Sequence, residues 1–171
     1  IDVSLHIGSF IAVIFYFNKE IINFFGNKIL FLKIFISSVP AMIVGYFLVK
    51  FGLIELIRNI EIIAWTTILF GILLFISDRF GLEKDIKKNF TYKTAIIIGL
   101  FQILSLIPGV SRSGITISAA RLLNFKRVDA AKISFLLSIP VLGAVSIFGL
   151  NAIFFSDNIN VAKLNLLSIL L

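Results

Sequence analysis

Residues 29 to 49, "ILFLKIFISSVPAMIVGYFLV", form an apolar run broken by one charge, Lys33. A helix of that length covers about 30 Å at 1.5 Å per residue, matching the hydrocarbon core of a bilayer. Further apolar runs lie at 62 to 76 and 130 to 150, and residues 1 to 17 form another that ends at Asn18, Lys19 and Glu20. Single buried helices of soluble proteins read the same way, but a soluble chain must also cover them with polar surface. This chain has 59% hydrophobic and 15% charged residues, against roughly 45–50% and 25% in soluble domains, so that cover is missing. The expected fold class is all-α: a polytopic integral membrane bundle, with 1–171 as one membrane domain.

A net charge of +7 would suggest nucleic acid in a soluble protein. Here the basic residues cluster between apolar runs, where they meet anionic headgroups, so the membrane is the expected partner and nucleic acid is not. With no Cys, disulfides and thiolate metal sites are excluded. The chain opens at Ile1 and stops at Leu171 inside an apolar run, and the expectation is a piece cut at both ends.

The most polar segment, 78–93, reads as a solvated loop, and the link "KFGLIELIRNIE" (50–61) as an amphipathic stretch suited to the interface. After the loop, "TAIIIGLFQILSLI" (94–107) stops at Pro108-Gly109 and "GITISAARLLNF" (114–125) follows, each too short to span alone. Either 94–124 is one kinked span, or two half-helices enter, turn at mid-depth and leave by the same face. The second arrangement is tolerable only where protein or a wet cavity surrounds the turn. It also puts Lys19, Lys28, Arg79, Lys84, Lys87, Lys88, Lys93, Lys126 and Arg127 on one face, leaving little beyond Lys50 and Arg58 on the other. The positive-inside rule therefore favours re-entry. "FISSVP" (35–40) and "FLLSIP" (135–140) share the pattern F-x-x-S-[VI]-P, a hint of internal, possible inverted, duplication.

Between these half-helices stands "PGVSRSGIT". An arginine at membrane depth costs several kcal/mol unless it meets an anion or water. Pro108 and Gly109 break the first half-helix, while Ser111, Ser113 and Gly114 open the second, where unpaired backbone N–H groups and the positive end of the helix dipole converge. Hydroxyls, N–H groups and the Arg112 guanidinium in that place form a cradle for tetrahedral phosphate oxygens, to which Thr116 could add a hydroxyl one turn on. The bland alternative is a kink with hydroxyls bonded back to the helix and Arg112 reaching for the interface. No G-x-x-x-x-G-K-[ST] is present, so the cradle is not a nucleotide P-loop.

"PGVSRSGITIS" (108–118), preceded by "IGLFQILSLI" and followed by "ISFLLSIPVLGA", resembles the signature of undecaprenyl pyrophosphate phosphatase, the bacitracin-resistance protein family. "DVSLHIGSFIAVIFYF" and "SSVPAMIVG" resemble two further segments of that family, in the same order along most of the chain. The resemblance implies removal of the terminal phosphate from a polyprenyl pyrophosphate lipid, recycling the carrier for peptidoglycan synthesis in the bacterial cytoplasmic membrane. It implies that Ser111 and Arg112 are catalytic and that Gly109, Ser113, Gly114 and Thr116 bind substrate. It also implies a divalent cation, Mg or Ca. The family's ligands for it lie in an N-terminal E-x-x-x-E element, beside a P-x-S-S-x-G-H element with the catalytic His. Neither element occurs here, so this chain is expected to hold half an active site and no metal ligands, and not to turn over alone.

His6 matches the family's L-H-x-G segment and reads as a hydrogen-bonded structural residue. Gln102 points either into the cavity or into the contact between half-helices, and Arg121 is expected to snorkel to the interface. A transporter or flippase for a phosphorylated lipid is the competing function, because broken helices around a mid-membrane anion site serve transport as well. The lipid-phosphatase pattern ending in S-R-x5-H-x3-D does not fit, since no such His follows "SRSG".

Overall fold

A computed structural model of the chain describes Gly8, Ile11, Phe15 and residues 26–53, 58–79 and 84–154, with backbone alone for Lys87 and 145–154. His6, the rest of the 1–17 run and the middle of the 50–61 link lie outside the described residues. Contacts divide the chain into two units, Leu32–Leu137 and a second formed by Ile1–Phe31 with Ser138–Leu171. The cradle lies wholly in the first.

The described residues form an all-α membrane bundle. α1 is Lys28–Lys50 and α2 is Ile60–Asp78, both long and apolar enough to cross a bilayer. A one-turn α3, Ile86–Asn89, precedes α4, Tyr92–Ile103. A 3-10 turn, Leu104–Leu106, leads to the Pro108-Gly109 bend, after which come α5, Arg112–Leu122, and α6, Arg127–Phe154. Pro40 and Pro140, the prolines of the repeated hexapeptide, both lie inside long helices. Among the described residues of α2 only Ser77 is buried, while Trp65 is 74% exposed and Leu69 and Phe75 point outward with it. Such a helix suits lipid, since water would leave its whole apolar surface unburied.

Segment 92–122 is a helical hairpin that returns to the level at which it starts. Lys84, before α4, pairs with the strand-like residues after α5: its N–H donates to Asn124 O (3.1 Å) and its carbonyl accepts from Lys126 N (3.2 Å). The Phe90 and Phe125 rings meet edge to face with centroids 6.2 Å apart. A capping box starts α4: Thr91 Oγ1 accepts from Thr94 N, and Thr94 Oγ1 accepts from Thr91 N (2.9 Å). Lys33, the one charge inside the apolar run of α1, donates to Phe90 O at 2.6 Å and lies over the Tyr92 ring, so it too belongs to this polar end. From there α1 and α4 run side by side. Ser37 Oγ donates to Ala95 O (2.6 Å), and Gly99 comes so close that a Cβ there would overlap the Ser37 carbonyl.

The base of the hairpin is closed by charge, which corrects the expectation for Arg121. Arg121 does not snorkel: it is 5% exposed. Its Nε lies 3.2 Å from Asp78 Oδ1, and its terminal nitrogens donate to the carbonyls of Asp78 (2.7 Å) and Phe125 (3.1 Å). Arg127 grips the same carboxylate from outside through both oxygens, at 2.8 and 2.6 Å. Asp78 carbonyl and carboxylate together terminate α2, and a buried guanidinium satisfied by carbonyls and a carboxylate costs less than one reaching through lipid. Nearby, the Lys126 ammonium hydrogen-bonded to Asp85 (2.8 Å) holds that carboxyl below the usual carboxylate range.

Candidate phosphate cradle at the hairpin tip

Gly109 turns the chain with φ of 90°, a backbone conformation that side chains oppose. It also brings the tip against α2. A Cβ at Gly109 would overlap Thr66 Oγ1 and sit 2.6 Å from Ile63 O, so no larger residue fits. α2 answers with two hydroxyls: Thr66 Oγ1 donates to Pro108 O (2.7 Å) and Thr67 Oγ1 to Gly109 O (3.1 Å). The bend would otherwise leave these two carbonyls without a partner, a cost wherever water is excluded.

The tip and the base share one register. Thr66 meets Pro108 and Thr67 meets Gly109, both 42 residues apart, while Asp78 meets Arg121 at 43. α2 and α5 therefore run parallel with nearly constant offset. From Asp78 back to Thr67 is eleven residues, or about 16 Å at 1.5 Å per residue, roughly half of a 30 Å hydrocarbon core.

At this end of the hairpin α5 begins. Ser111 is its N-cap, with Oγ accepting from Gly114 N (3.2 Å) and touching Ser113 Oγ (3.2 Å). The first intrahelical backbone bond runs from Ile115 N to Ser111 O, so the amides of Arg112 and Ser113 precede it. Ser111 and Ser113 are exposed, Arg112 half-buried, and the Arg112 guanidinium has no hydrogen-bond partner among the described residues. Two hydroxyls, orphan amides, the positive end of the α5 dipole and an uncommitted guanidinium thus meet in one place. Gly114 keeps that turn open: a Cβ there would lie 3.2 Å from the Ser111 Cβ.

Thr116 stands apart from the other candidates. It is 1% exposed, its Oγ1 lies within 2.9 and 3.1 Å of the Arg112 and Ser113 carbonyls, and it meets Ser134 Oγ of α6 at 2.7 Å. It braces the first turn of α5 from behind instead of facing the open side. Gln102, on α4, is equally buried, and neither its Oε1 nor its Nε2 finds a partner among the described residues.

The described residues do not fit a divalent cation: no group of three or more His, Asp or Glu converges among them. Their carboxylates, Glu61, Asp78, Asp85 and Asp129, occupy helix ends or the base, and none bonds to the cradle. Sequence reasoning missed Thr66 and Thr67. Hydroxyls inside an apolar span were the available signal, since such groups need a partner.

A family model described as "Bacitracin resistance protein BacA" matches residues 1–170. The undecaprenyl-diphosphatase of Pelagibacter ubique (strain HTCC1062) is 50% identical over 162 residues, covering 94% of this chain and 63% of that protein. Those of Saccharophagus degradans and Roseobacter denitrificans are 44% and 41% identical, covering 82% and 83% of this chain and 57% and 58% of theirs. The chain thus spans about three fifths of the length of the curated relatives it matches.

Proposed function

The chain belongs to the bacitracin resistance protein BacA family, and from that premise we propose that its hairpin tip is the phosphate-binding half of an undecaprenyl-diphosphatase site in the bacterial cytoplasmic membrane. The reaction is hydrolysis of undecaprenyl pyrophosphate: water adds to the terminal phosphorus, and the anhydride P–O bond breaks. The electron pair leaves with undecaprenyl phosphate, and inorganic phosphate is released. The observation that carries this reading is the Arg112 guanidinium, uncommitted among the described residues, beside the capped N-terminus of α5.

In this reading Arg112 forks onto the non-bridging oxygens of the terminal phosphate, where charge develops as the anhydride breaks. Ser111 and Ser113 donate hydrogen bonds from their hydroxyls to the same oxygens, and the α5 amides supply further donors at no cost of reorganisation. Gly109 and Gly114 let the phosphate approach backbone, and Thr116 is a positioning residue that holds the Arg112–Ser113 turn. A divalent cation is proposed on the resemblance alone. Among the described residues no group of three or more His, Asp or Glu converges to hold it.

The test is phosphate release from undecaprenyl pyrophosphate by the intact protein in detergent, comparing wild type with Arg112→Ala. Loss of a donor to a developing oxyanion lowers the rate about 100- to 1000-fold. No release from folded wild type refutes hydrolysis and leaves transport of a phosphorylated lipid as the function to pursue.

A further inference from the structure

A groove of about 260 Å³ runs along the face where α2 and α5 lie parallel. Its α2 wall is Thr67, Phe70, Gly71 and Leu74, a stripe at helical spacing, and Ile117 continues it on α5. At one end stand Gly109, Ser111, Ser113 and Gly114 of the cradle; Phe70, Leu74, Ile115 and Ile117 supply the apolar lining. The groove is therefore amphipathic along its length, with the cradle as its polar head. Resting on the function proposed above, we infer that it seats the first isoprene units of the lipid whose pyrophosphate occupies the tip.

Three observations select this occupant. The polar end is lined by the Ser111 and Ser113 hydroxyls and by no carboxylate, with Arg112 between them in sequence at the start of α5, which suits a phosphate and not a second copy of an apolar helix. The rest of the wall is hydrocarbon, which suits a chain carrying no polar atom beyond its head. Finally, the volume falls below the roughly 300–1,000 Å³ of pockets that enclose a whole drug-sized ligand. The groove takes part of a long chain and leaves the remainder to the bilayer.

Gly71 sets the width. A Cβ added there meets no atom within 4 Å, so the missing side chain leaves open space on the exposed face of α2. Leucine at 71 favours the helix and fills that space. The substitution separates tail from head, because Gly71 lines the groove one turn of α2 beyond Thr67.

The experiment uses the intact protein in detergent, with farnesyl pyrophosphate as the tailed probe and inorganic pyrophosphate as a competitor without a tail. Gly71→Leu is expected to raise KM for farnesyl pyrophosphate about tenfold or more, the value of displacing two buried methylene groups. The inhibition constant of inorganic pyrophosphate is expected to stay within about twofold, since the head site is untouched. Leu74→Trp, filling the groove farther along, is expected to do the same. An unchanged KM in both variants, or KM and inhibition constant rising together, overturns the assignment.

A photoreactive diazirine on the first isoprene unit reads the groove without turnover. Crosslinks to Phe70 or Ile117 that vanish in Gly71→Leu support it, and crosslinks confined to other segments overturn it. Groove labelling by a wild type that releases no phosphate overturns the phosphatase reading alone.

Discussion

Replacing Gly109 by alanine strikes the point where the hairpin tip leans on α2. The residue sits at φ of 90°, and a non-glycine residue held in so sparsely populated a region costs about 1–3 kcal/mol. The added methyl also overlaps Thr66 Oγ1 and approaches Ile63 O to 2.6 Å, so the tip must retreat. Retreat breaks the bonds from Thr66 to Pro108 O and from Thr67 to Gly109 O, worth about 0.5–1.5 kcal/mol each. The sum is about 2–6 kcal/mol of stability. Ser111 and Arg112 move with the tip, and a displacement of about 1 Å in a positioned catalytic group costs roughly 100-fold in rate. Fluorescence of Trp65, the one tryptophan of the chain and the immediate neighbour of Thr66, reports unfolding, and phosphate release measured well below Tm reports the site. Adding Thr66→Ala should not rescue Gly109→Ala, because the contact with the Ile63 backbone remains. A Gly109→Ala protein with Tm within about 2 °C of wild type and an unchanged rate would refute the reasoning.

Two further outcomes follow from the base of the hairpin. Arg121→Leu is expected to lower Tm more than Arg127→Leu, since the Arg121 side chain is 6% exposed and that of Arg127 is 73% exposed in binding the same carboxylate; equal shifts would contradict this. For the Asp85–Lys126 pair the folded carboxyl titrates below its ordinary value of 3.8, so its contribution is full above that pH and disappears as pH falls through the lowered value. Lys126→Ala should therefore differ from wild type in Tm at pH 6, converge with it once the pH has fallen below the lowered value, and converge also in about 1 M salt; a gap that persists after the carboxyl is protonated assigns the effect to something other than this pair.

Local chemistry was legible in the sequence wherever one stretch carried it. The lengths of the apolar runs gave α1 and α2 to within two residues at each end, and Pro108-Gly109 marked the bend. Ser111 was readable as an N-cap because Ser before an apolar helix supplies the acceptor that Gly114 N needs. What spacing could not reveal were pairings made across 40 residues or more. Thr66 and Thr67 look like filler in "AWTTILF", and Arg121 at the end of a half-helix looks like a residue seeking the interface. Its true partner, Asp78, closes a different helix, and only the parallel register of α2 and α5 brings the two together. Thr116, expected to add a hydroxyl one turn on, makes a contact that spacing could not show either: its hydroxyl meets Ser134 of α6, eighteen residues away.

That register amounts to a depth gauge. One end of the ruler is pinned by Asp78 among the charges at the base and the other by Thr66 and Thr67 under the bend. The distance of the cradle from the base is thus written in the number of α2 residues between the two pins, not in any property of the cradle itself. A single residue inserted between them would advance one pin by 1.5 Å and swing it by about 100°, so both fastenings could not hold at once. The number of α2 residues between the pins, eleven from Thr67 to Asp78, is therefore a structural parameter in its own right.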